Sequence, residues 1–460
     1  MVIIGGGITG LAAAHTLART RPEIAVTLME ARDRLGGVIL TEQEDAFLLE
    51  GGPDSFLARK QEANDFWREV GVEGDLLPAQ ELHGRVRILR DGRLQLLPDS
   101  FNLGMPSDVR SVLAASLISI PGKLRLALER FVPPRRDRSD ESLADFFRRR
   151  LGREAYERIG EPLLGGIHAA DAERLSLSAA FPDLYAMEGK HGSITRALKA
   201  RRNSNEGERG LRFVTHRGGM GKIVQAIESH LGGIELRTGV ACKEIQGKEP
   251  PFRVIPENGD ALEADVLIVA TPAHAAARIL KETCPPLCSL LNQIAYVSTA
   301  AVYLAFHEKA LKRPLEGYGF LVPRTERKTI NACTFVSNKF IGRAPEDRIL
   351  LRAFVGGALD PDVMQWPGER LVRRVRDELK EIVGLEGEPI WSRVYRWENA
   401  LPQYNLGHRD RVHAIDKLVE GIPGLVLAGA AYKGTGIPDC VVSGRLAAKR
   451  ASERISGTLA

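Results

Sequence analysis

The stretch VIIGGGITGL, residues 2–11, decides the fold. A short apolar run, typical of a buried strand, leads into the spacing Gly5-x-Gly7-x-x-Gly10 and then into an alanine-rich helical segment. The first glycine of this fingerprint permits a tight turn, the second lets backbone approach a pyrophosphate, and the third lets helix and strand pack closely. The helix N-terminus then offers free N–H groups to the phosphates. The stretch therefore predicts a βαβ unit that binds a dinucleotide.

The acidic residue that such a site requires ends the next strand, IAVTLME. Glu30 stands 20 residues beyond Gly10, where a carboxylate binds ribose hydroxyls and disfavours a phosphorylated ribose. A structural glycine turn beside a surface glutamate is the weaker interpretation. A second glycine pair, Gly36-Gly37, follows Glu30. It is either an ordinary loop or, by resemblance to flavoproteins of the glucose–amine oxidase kind, a turn that lets backbone approach the flavin end of FAD.

A second strand–turn–helix pattern lies near the other end of the sequence, in AGAAYKGTGIPDCVVSG, residues 428–444. Gly434 and Gly436 allow backbone to approach a flat ring, while Pro438 and Asp439 are suited to a helix start, with Asp439 as the N-cap. The positive end of this helix would stabilise negative charge on a reduced flavin. We therefore expect strand 425–428 to rejoin the N-terminal sheet, which favours FAD over NAD.

Composition excludes several classes of protein. The chain has 460 residues, 44% hydrophobic and 27% charged, which predicts a soluble globular protein of two or more domains. A net charge of +5 is too small to indicate nucleic-acid binding. Five irregularly spaced cysteines indicate a reducing compartment and neither disulfides nor a metal site. We expect no signal peptide, no membrane-spanning helix and a cytoplasmic location.

Two kinds of sequence alternate along the chain. Residues 84–98 show two alternating runs around Asp91-Gly92, which predicts an antiparallel hairpin, whereas residues 211–275 return to strand–helix alternation. The predicted fold class is α/β, with a discontinuous Rossmann-like FAD-binding domain, an α+β substrate-binding domain and a helical subdomain. The FAD-binding domain takes residues 1–75, 211–275 and 399–460, the substrate domain takes 76–100 and 276–398, and the helical subdomain takes 101–210.

The helical subdomain has two interpretations. Residues 101–134 carry apolar residues with basic flanks, which fits an amphipathic patch at a membrane surface. A helical cap over a pocket fits the same residues. The sequence leaves open both peripheral membrane association and homodimerisation.

With these patterns in place, the chain resembles the bacterial protoporphyrinogen/coproporphyrinogen oxidases, a branch of the amine-oxidase-like flavoproteins, over essentially its whole length. EPLLGGIHAADAERLSL and PQYNLGH are the most specific matching stretches. The others are IGGGITGL, LEGGPDSF, HRGGMGKI, GFLVP, RWENALPQYNLGH and AGAAYKGTGIPDCVVSG.

The resemblance implies a set of FAD contacts. Amine oxidases tend to have arginine at the position of Val38, so this residue places the chain with the porphyrinogen branch. The implied contacts are Gly5, Gly6, Gly7, Ile8, Thr9, Gly10, Glu30, Ala31, Val38, Gly52, Pro53, Asp54, Ser55, Val240, Ala430, Thr435, Gly436 and Ile437.

The resemblance also implies a reaction. Six electrons leave protoporphyrinogen IX or coproporphyrinogen III in three steps, each sending a hydride to the flavin, and oxygen reoxidises the flavin with formation of peroxide. No acid–base residue is assigned, because the pyrrole nitrogens could lose their protons without a protein base.

Six residues are candidates for contact with the macrocycle. Arg85 and Arg87 alternate onto one strand face, where a guanidinium could pair with a propionate, although solvated strand charges fit equally well. By resemblance, Gly166 would let the substrate lie against backbone and Leu321 would clamp a ring face. Tyr318 and Cys333 would line the same wall as Leu321. Core packing is the alternative for each.

Two other functions fit the same fold. An amine or carotenoid oxidoreductase would need an aromatic cage or a lipid tunnel, and Trp397 with Tyr404 could be taken for such a cage. A non-catalytic flavoprotein that binds tetrapyrrole is the second alternative.

Overall fold

The computed structural model describes residues 1–58, 60–80, 86–97, 101–102, 105–106, 116–137, 139–203 and 213–458. Its strands are β1 (Val2–Ile4), β2 (Val26–Met29), β3 (Thr41–Glu44), β4 (Phe47–Glu50), β5 (Phe56–Leu57), β6 (Leu76–Pro78), β7 (Val86–Arg90), β8 (Arg93–Leu96), β9 (Phe101–Asn102), β10 (Met105–Pro106), β11 (Phe213–His216), β12 (Ile234–Arg237), β13 (Cys242–Gln246), β14 (Phe252–Pro256), β15 (Leu262–Ala264), β16 (Leu267–Val269), β17 (Tyr296–His307), β18 (Gly319–Leu321), β19 (Ala332–Phe335), β20 (Arg348–Gly356), β21 (Trp391–Pro402) and β22 (Leu425–Leu427).

The helices are numbered in the same way. They are α1 (Ile8–Thr20), α2 (Gln61–Glu69), α3 (Ile120–Ala127), α4 (Leu143–Leu151), α5 (Arg153–Ala155), α6 (Leu177–Ala180), α7 (Pro182–His191), α8 (Ile194–Asn203), α9 (Gly221–Ser229), α10 (Ala273–Ile279), α11 (Pro285–Asn292), α12 (Val336–Lys339), α13 (Gly368–Val383), α14 (His408–Glu420) and α15 (Ile437–Thr458). A π-helix spans Tyr156–Gly165, and 3-10 turns occupy Glu73–Asp75, Glu129–Phe131, Glu308–Ala310, Arg324–Glu326 and Pro361–Gln365.

The nucleotide layer is built on a parallel sheet with the strand order β12-β2-β1-β16-β22. β1 lies between β2 and β16, and β22 pairs with β16 from Leu267↔Leu425 to Val269↔Leu427. Strands from three distant parts of the chain therefore form one sheet, and the expectation that the C-terminal strand rejoins the N-terminal sheet is confirmed.

Helix α15 packs against α1 along the face of this sheet. A side chain at Gly444 would lie 2.1 Å from the Thr9 carbonyl oxygen, so the two helices approach as closely as backbone allows. The core around them contains Leu11, Ala14, Val441 and Ala448, all fully or almost fully buried. The predicted helix start at Asp439 is two residues late, because α15 begins at Ile437 and Asp439 lies in its first turn.

The substrate layer is a mixed sheet with the strand order β21-β17-β20-β19-β18-β7-β8. The predicted hairpin joins β7 to β8, with φ of 50° at Asp91 and 73° at Gly92, as a two-residue turn of this type requires. One face of the sheet packs on α13 through Leu371, Val375 and Leu379. The opposite face is turned toward the nucleotide layer at one end and the helical unit at the other.

The helical unit is organised around a buried ion network. Arg150 of α4 is fully buried, and its Nε atom donates to Glu188 at 2.9 Å while its other nitrogens reach Glu129 and the carbonyl oxygens of Val132 and Gly192. The network ties α4 to α7 and to the segment after α3. No helix of the described residues is long and apolar enough to cross a bilayer.

Two of the predicted domain boundaries fall inside structural units. β6 pairs with β11 of the nucleotide layer, so the substrate sheet begins after Pro78 and not at residue 76. β21 continues to Pro402, where it pairs with Tyr296, so the boundary at 398/399 cuts a strand of the substrate sheet. Short-range patterns could not locate these limits, because the pairing partners are distant in sequence.

We predict that Gly444→Ala will lower the free energy of unfolding of the FAD-saturated protein by about 1–3 kcal/mol, since the added methyl group collides with rigid backbone of α1. Urea or thermal unfolding measures this change. Gly189→Ala in α7 is the matched control: its methyl group meets no atom within 4 Å, so we expect unchanged or slightly higher stability. Equal stability of the two variants would contradict the close packing of α1 on α15.

Candidate functional site

The three fingerprint glycines occupy three different environments. Gly5 has a φ of 108°, which favours glycine at the tight turn after β1. A side chain at Gly10 would lie 1.9 Å from the Gly5 carbonyl oxygen, so α1 packs directly on the turn. A side chain at Gly7 would meet nothing within 4 Å, which leaves open space at the start of α1 for a pyrophosphate.

Glu30 stands at the same edge of the sheet. Its carboxylate accepts hydrogen bonds from the Gly6 amide at 2.6 Å and the Arg32 amide at 2.9 Å. Each carboxylate oxygen can accept a further bond, so ribose hydroxyls fit beside these contacts. The Val240 amide donates to the Glu30 carbonyl oxygen at 2.9 Å, which places the predicted adenine contact next to the predicted ribose contact.

A continuous line of backbone leads from the fingerprint to the predicted flavin contacts. The Gly36 amide donates to the Gly6 carbonyl oxygen at 2.8 Å, and a side chain at Gly37 would lie 3.1 Å from Gly7 Cα. A side chain at Gly52 would collide with the Val38 carbonyl oxygen at 1.7 Å, while the Val38 side chain is itself exposed. The Gly36-Gly37 turn and the 52–55 segment thus border one groove that begins at Gly7.

The C-terminal loop, residues 429–436, lies at the far end of this groove. Tyr404 of the PQYNLGH motif holds it in place through two hydrogen bonds. The Tyr404 hydroxyl donates to the Ala430 carbonyl oxygen at 2.6 Å and accepts from the Gly434 amide at 2.7 Å. The Tyr404 ring stacks on His408 with 4.0 Å between ring centroids. Burial lowers the pKa of His408 to about 4, so this stacking ring is neutral at physiological pH.

An ion pair joins the residues after the loop to Lys60, which directly precedes α2. Asp439 pairs with Lys60, and its carboxyl group fills the space beside Gly434, where an added side chain would lie 2.4 Å from Asp439 Cγ. The prediction of Asp439 as the N-cap is corrected accordingly, since the residue lies inside the helix. Thr435 and Gly436 directly precede α15, and Ile437 is its first residue.

These residues fit FAD. An added Cβ at Gly7 or at Gly429 would meet no atom within 4 Å, so both glycines border open space. A side chain there would occupy space that a cofactor could fill, as expected for backbone that faces a cofactor. The Thr271 hydroxyl, which follows β16, is buried and has no hydrogen-bond partner among the described residues. Sequence reasoning missed Thr271; its position two residues after β16, the fourth strand of the sheet, was the available signal.

The inner face of the substrate sheet supplies a candidate substrate wall. The strand register places Leu321, Ala332 and Phe354 side by side, and the three are half-buried on a face that is otherwise closed at both ends. The loop 165–170 lies near it, held by the Gln403 side chain, which donates to the His168 carbonyl oxygen at 3.1 Å. Gly166 has open space at its Cβ position and Ile167 is exposed. Gly166 therefore borders open space and Leu321 is partly accessible, and their contact with substrate stays a prediction.

The same register separates Cys333 and Arg87 from that wall. Cys333 pairs with Phe320, and Phe320 with Arg87, so their side chains point to the face covered by α13. Cys333 is buried in that core, and burial raises the pKa of its thiol. The expectation that Cys333 lines the wall with Leu321 is thus corrected. Leu321 pairs with Ala332, and Cys333 is the next residue on that strand, so its side chain points to the opposite face of the sheet.

Only one of the two arginine candidates, Arg87, lies among the described residues. Arg87 makes an ion pair with the exposed Glu316, which fits the alternative of a solvated strand charge. Arg85 lies outside the described residues. Tyr318 immediately precedes β18, and its carbonyl oxygen accepts from the Phe335 amide at 2.8 Å. The proposed propionate contact therefore stays a prediction.

The aromatic cage of the amine-oxidase alternative is not formed. Tyr404 is buried, and its hydroxyl is fully used by the C-terminal loop. The Trp397 indole N–H donates to the Gly51 carbonyl oxygen at 2.7 Å, and the Arg32 guanidinium lies 5.4 Å from the centroid of its ring. Both aromatic side chains are thus hydrogen-bonded to backbone of segments predicted to contact FAD.

Two titratable groups flank Gly166 in the chain. Burial lowers the pKa of His168 to about 4 and raises the pKa of Glu161 to about 7. The His168 ring has no hydrogen-bond partner among the described residues, and it contacts Phe181 edge-on. His168 is thus a neutral imidazole that lies against Phe181 and near Tyr404. In the part of the chain that the structure describes, no three histidine, cysteine or carboxylate side chains are grouped to hold a metal ion.

Comparison with known proteins agrees with this geometry. The family model for flavin-containing amine oxidoreductases matches residues 8–452. The coproporphyrinogen III oxidase of Bacillus subtilis is 35% identical over 97% of this chain and 96% of its own length, and that of Staphylococcus aureus is 31% identical over 98% of both. A crystal structure from Exiguobacterium, provisionally named a protoporphyrinogen oxidase, has a TM-score of 0.87 at 32% identity, covering 99% of this chain and 98% of its own. The predicted resemblance and α/β flavoprotein fold are confirmed.

We predict that Tyr404→Phe will weaken FAD binding by roughly tenfold, because it leaves the Gly434 amide and the Ala430 carbonyl oxygen without their shared partner. Titration of the apoprotein with FAD, followed by flavin fluorescence, measures the dissociation constant. Tyr185→Phe on the exposed side of α7 is the matched control and should leave it unchanged. If Tyr404→Phe has the dissociation constant of the wild type, FAD binding does not depend on the hydrogen bonds of the Tyr404 hydroxyl to the loop.

Proposed function

Because the chain belongs to the family of flavin-containing amine oxidoreductases, we propose that it is an FAD-dependent oxidase that converts a porphyrinogen into the porphyrin of heme biosynthesis. The observation that carries the proposal is the 35% and 31% identity to two coproporphyrinogen III oxidases, which extends over nearly the whole chain. The groove that ends beside a half-buried apolar wall supports it, since a wide apolar disc needs such a wall next to the flavin.

Coproporphyrinogen III is the substrate we propose first. Both bacterial relatives described above carry its name, whereas the similar crystal structure is named for protoporphyrinogen. The two substrates differ in two peripheral groups, propionate against vinyl. The comparison of their rates is therefore part of the test.

The chain's own residues would bind, orient and shield the substrate. Bound FAD supplies the acceptor for three successive two-electron oxidations, and molecular oxygen regenerates it with formation of peroxide. Leu321 and Phe354 offer apolar surface to one face of the macrocycle, and the open position of Gly166 lets another part of it approach backbone. The neutral imidazole of His168 can accept a proton at a ring nitrogen, although the macrocycle's own nitrogens can release protons to water.

We further propose a cytoplasmic protein that associates peripherally with anionic lipid. Four apolar side chains, Ile120, Leu124, Leu128 and Phe131, are exposed at helical spacing on α3 and the turn after it. Leu126 on the opposite side of α3 is buried, so the helix is anchored and its apolar stripe faces outward. Arg130 and Arg136 are exposed nearby and form no ion pair with any described residue, which suits an anionic surface.

We predict that Gly166→Leu will raise the KM for coproporphyrinogen III at least tenfold without loss of stability, because the new side chain enters open space beside the wall. Porphyrin fluorescence with each substrate measures the rates, and anaerobic mixing shows flavin reduction by its absorbance. Gly74→Leu, which also enters open space but lies far from the wall in sequence and structure, is the control. Two results with the wild-type protein would overturn the proposed function. One is reduction of its flavin by an amine, and the other is binding of a porphyrinogen without reduction of the flavin.

We predict that the double variant Leu124→Asp/Leu128→Asp will lose most of its binding to vesicles that contain phosphatidylglycerol, because two charges replace the centre of the apolar stripe. Co-sedimentation at low and high salt measures the loss. Ile341→Asp, at another exposed apolar position, should bind as the wild type does. A wild-type homodimer that the double variant dissociates, with no vesicle binding by either protein, would identify the stripe as a contact between two copies instead.

A further inference from the structure

A buried charge cluster joins the substrate sheet to the segment that borders the flavin end of the groove. We define it as Glu50 and Asp54 from the nucleotide layer with Lys339, Arg343 and Arg352 from the substrate layer. Lys339 Nζ lies 3.0 Å from Asp54 Oδ2 and 3.2 Å from Ser55 Oγ. Arg352 donates to the Gly52 carbonyl oxygen and has its Nη1 atom 3.9 Å from Asp54. Two cations therefore hold the backbone and the side chains of residues 52–55.

The second half of the cluster lies behind this segment. Arg343 Nη1 is 3.6 Å from Glu50 Oε1, and Arg343 Nη2 donates to the Thr215 hydroxyl at 2.7 Å. The Glu50 carboxyl group also accepts from the Met220 amide at 2.9 Å and from the Thr41 hydroxyl at 2.6 Å. Glu50, Arg343 and Arg352 are almost fully removed from solvent.

Positive charge is in excess within the cluster. Three cations face two carboxylates, and burial raises the pKa of Glu50 to about 7, so this carboxylate is only partly ionised at neutral pH. Burial also works to raise the pKa of Asp54, but Lys339 and Arg352 outweigh it and hold that pKa well below its ordinary value. Arg343 Nη1 and Arg352 Nε have no hydrogen-bond partner among the described residues.

Unbalanced buried charge calls for a compensating ligand. A buried cation is unfavourable unless an anion or a set of acceptors faces it. The segment that the cluster holds is the one expected beside the flavin ring system, which gains negative charge when it is reduced. A low dielectric strengthens the attraction between that charge and the cluster.

We propose that Lys339 and Arg352 are positioning residues for FAD: they fix the 52–55 turn, and the excess positive charge of the cluster raises the reduction potential of the bound cofactor. This inference rests on the proposed function only in placing FAD at that turn. The cluster thereby makes the cofactor a better electron acceptor than it is in a neutral site. Nothing in the sequence pattern around Lys339 indicates such a role.

The midpoint potential of bound FAD, measured by reduction against a reference dye, tests the inference. We expect Lys339→Met to make the potential about 30 mV more negative, which for a two-electron couple is a tenfold weaker preference for the reduced form. Asp54→Asn removes a negative charge and should shift the potential in the opposite direction. The double variant Lys339→Met/Asp54→Asn should return close to the wild-type value, because one charge of each sign is removed.

Controls separate charge from structure. Lys339→Arg keeps the charge and should keep the potential, and Lys312→Met, which breaks the exposed pair with Glu386, should leave it unchanged. If Lys339→Met fails to retain FAD, Arg352→Lys and Arg352→Gln carry the same comparison of charge kept against charge lost. Shifts of the same sign for Lys339→Met and Asp54→Asn, or no shift in any charge-removing variant, would overturn the inference.

The outcome is independent of substrate turnover, because no porphyrinogen is present in the measurement. If the wild-type protein binds FAD but makes no porphyrin, the proposed function is refuted. The midpoint potentials of FAD bound to the wild type and the variants can still be measured, so this inference is still tested. A protein that makes porphyrin, with variants whose potentials do not move, would refute this inference alone.

Discussion

The structure depends on the parallel alignment of β1, β16 and β22. Because parallel strands run in one direction, the segments that follow Ile4, Val269 and Leu427 all emerge at the same edge of the sheet. The starts of α1 and α15 are therefore brought together although they are more than 400 residues apart in sequence. Their close packing, with Gly444 against Thr9, keeps both helix N-termini directed at one groove.

This arrangement brings the predicted FAD contacts from the two ends of the chain to one edge of the sheet. The N-terminal part contains the fingerprint turn, Glu30 and the Gly36-Gly37 turn, whereas the C-terminal part contains the loop before α15. Tyr404 joins the second part to the substrate sheet, since it follows β21 and holds the loop through its hydroxyl. The stretch 428–444 is thus placed next to the N-terminal fingerprint, as the prediction of a single FAD site requires.

The sequence predicted those features that depend on local chemistry. Glycine spacing predicted the nucleotide turn, and Asp91-Gly92 predicted the hairpin, because positive φ at a given position is a local requirement. Which strand face a residue occupies depends on register with distant strands, so Cys333 could not be separated from Leu321. Arg352 and Lys339 were missed for the same reason: their partners, Gly52 and Asp54, are 300 and 285 residues away in sequence.

Arg352 explains why the cofactor groove and the substrate wall belong to one mechanism. Its backbone lies two positions before Phe354 on β20, so both side chains share the inner face of the sheet, and its guanidinium lies 4.6 Å from the Phe354 ring centroid. The same guanidinium reaches across to the Gly52 carbonyl oxygen in the nucleotide layer. A displacement of the wall would therefore move a charge held beside the 52–55 turn. If the proposed substrate site and the proposed role of the cluster both hold, the position of a macrocycle on Phe354 would be coupled to the electrostatic environment of the flavin through this one side chain.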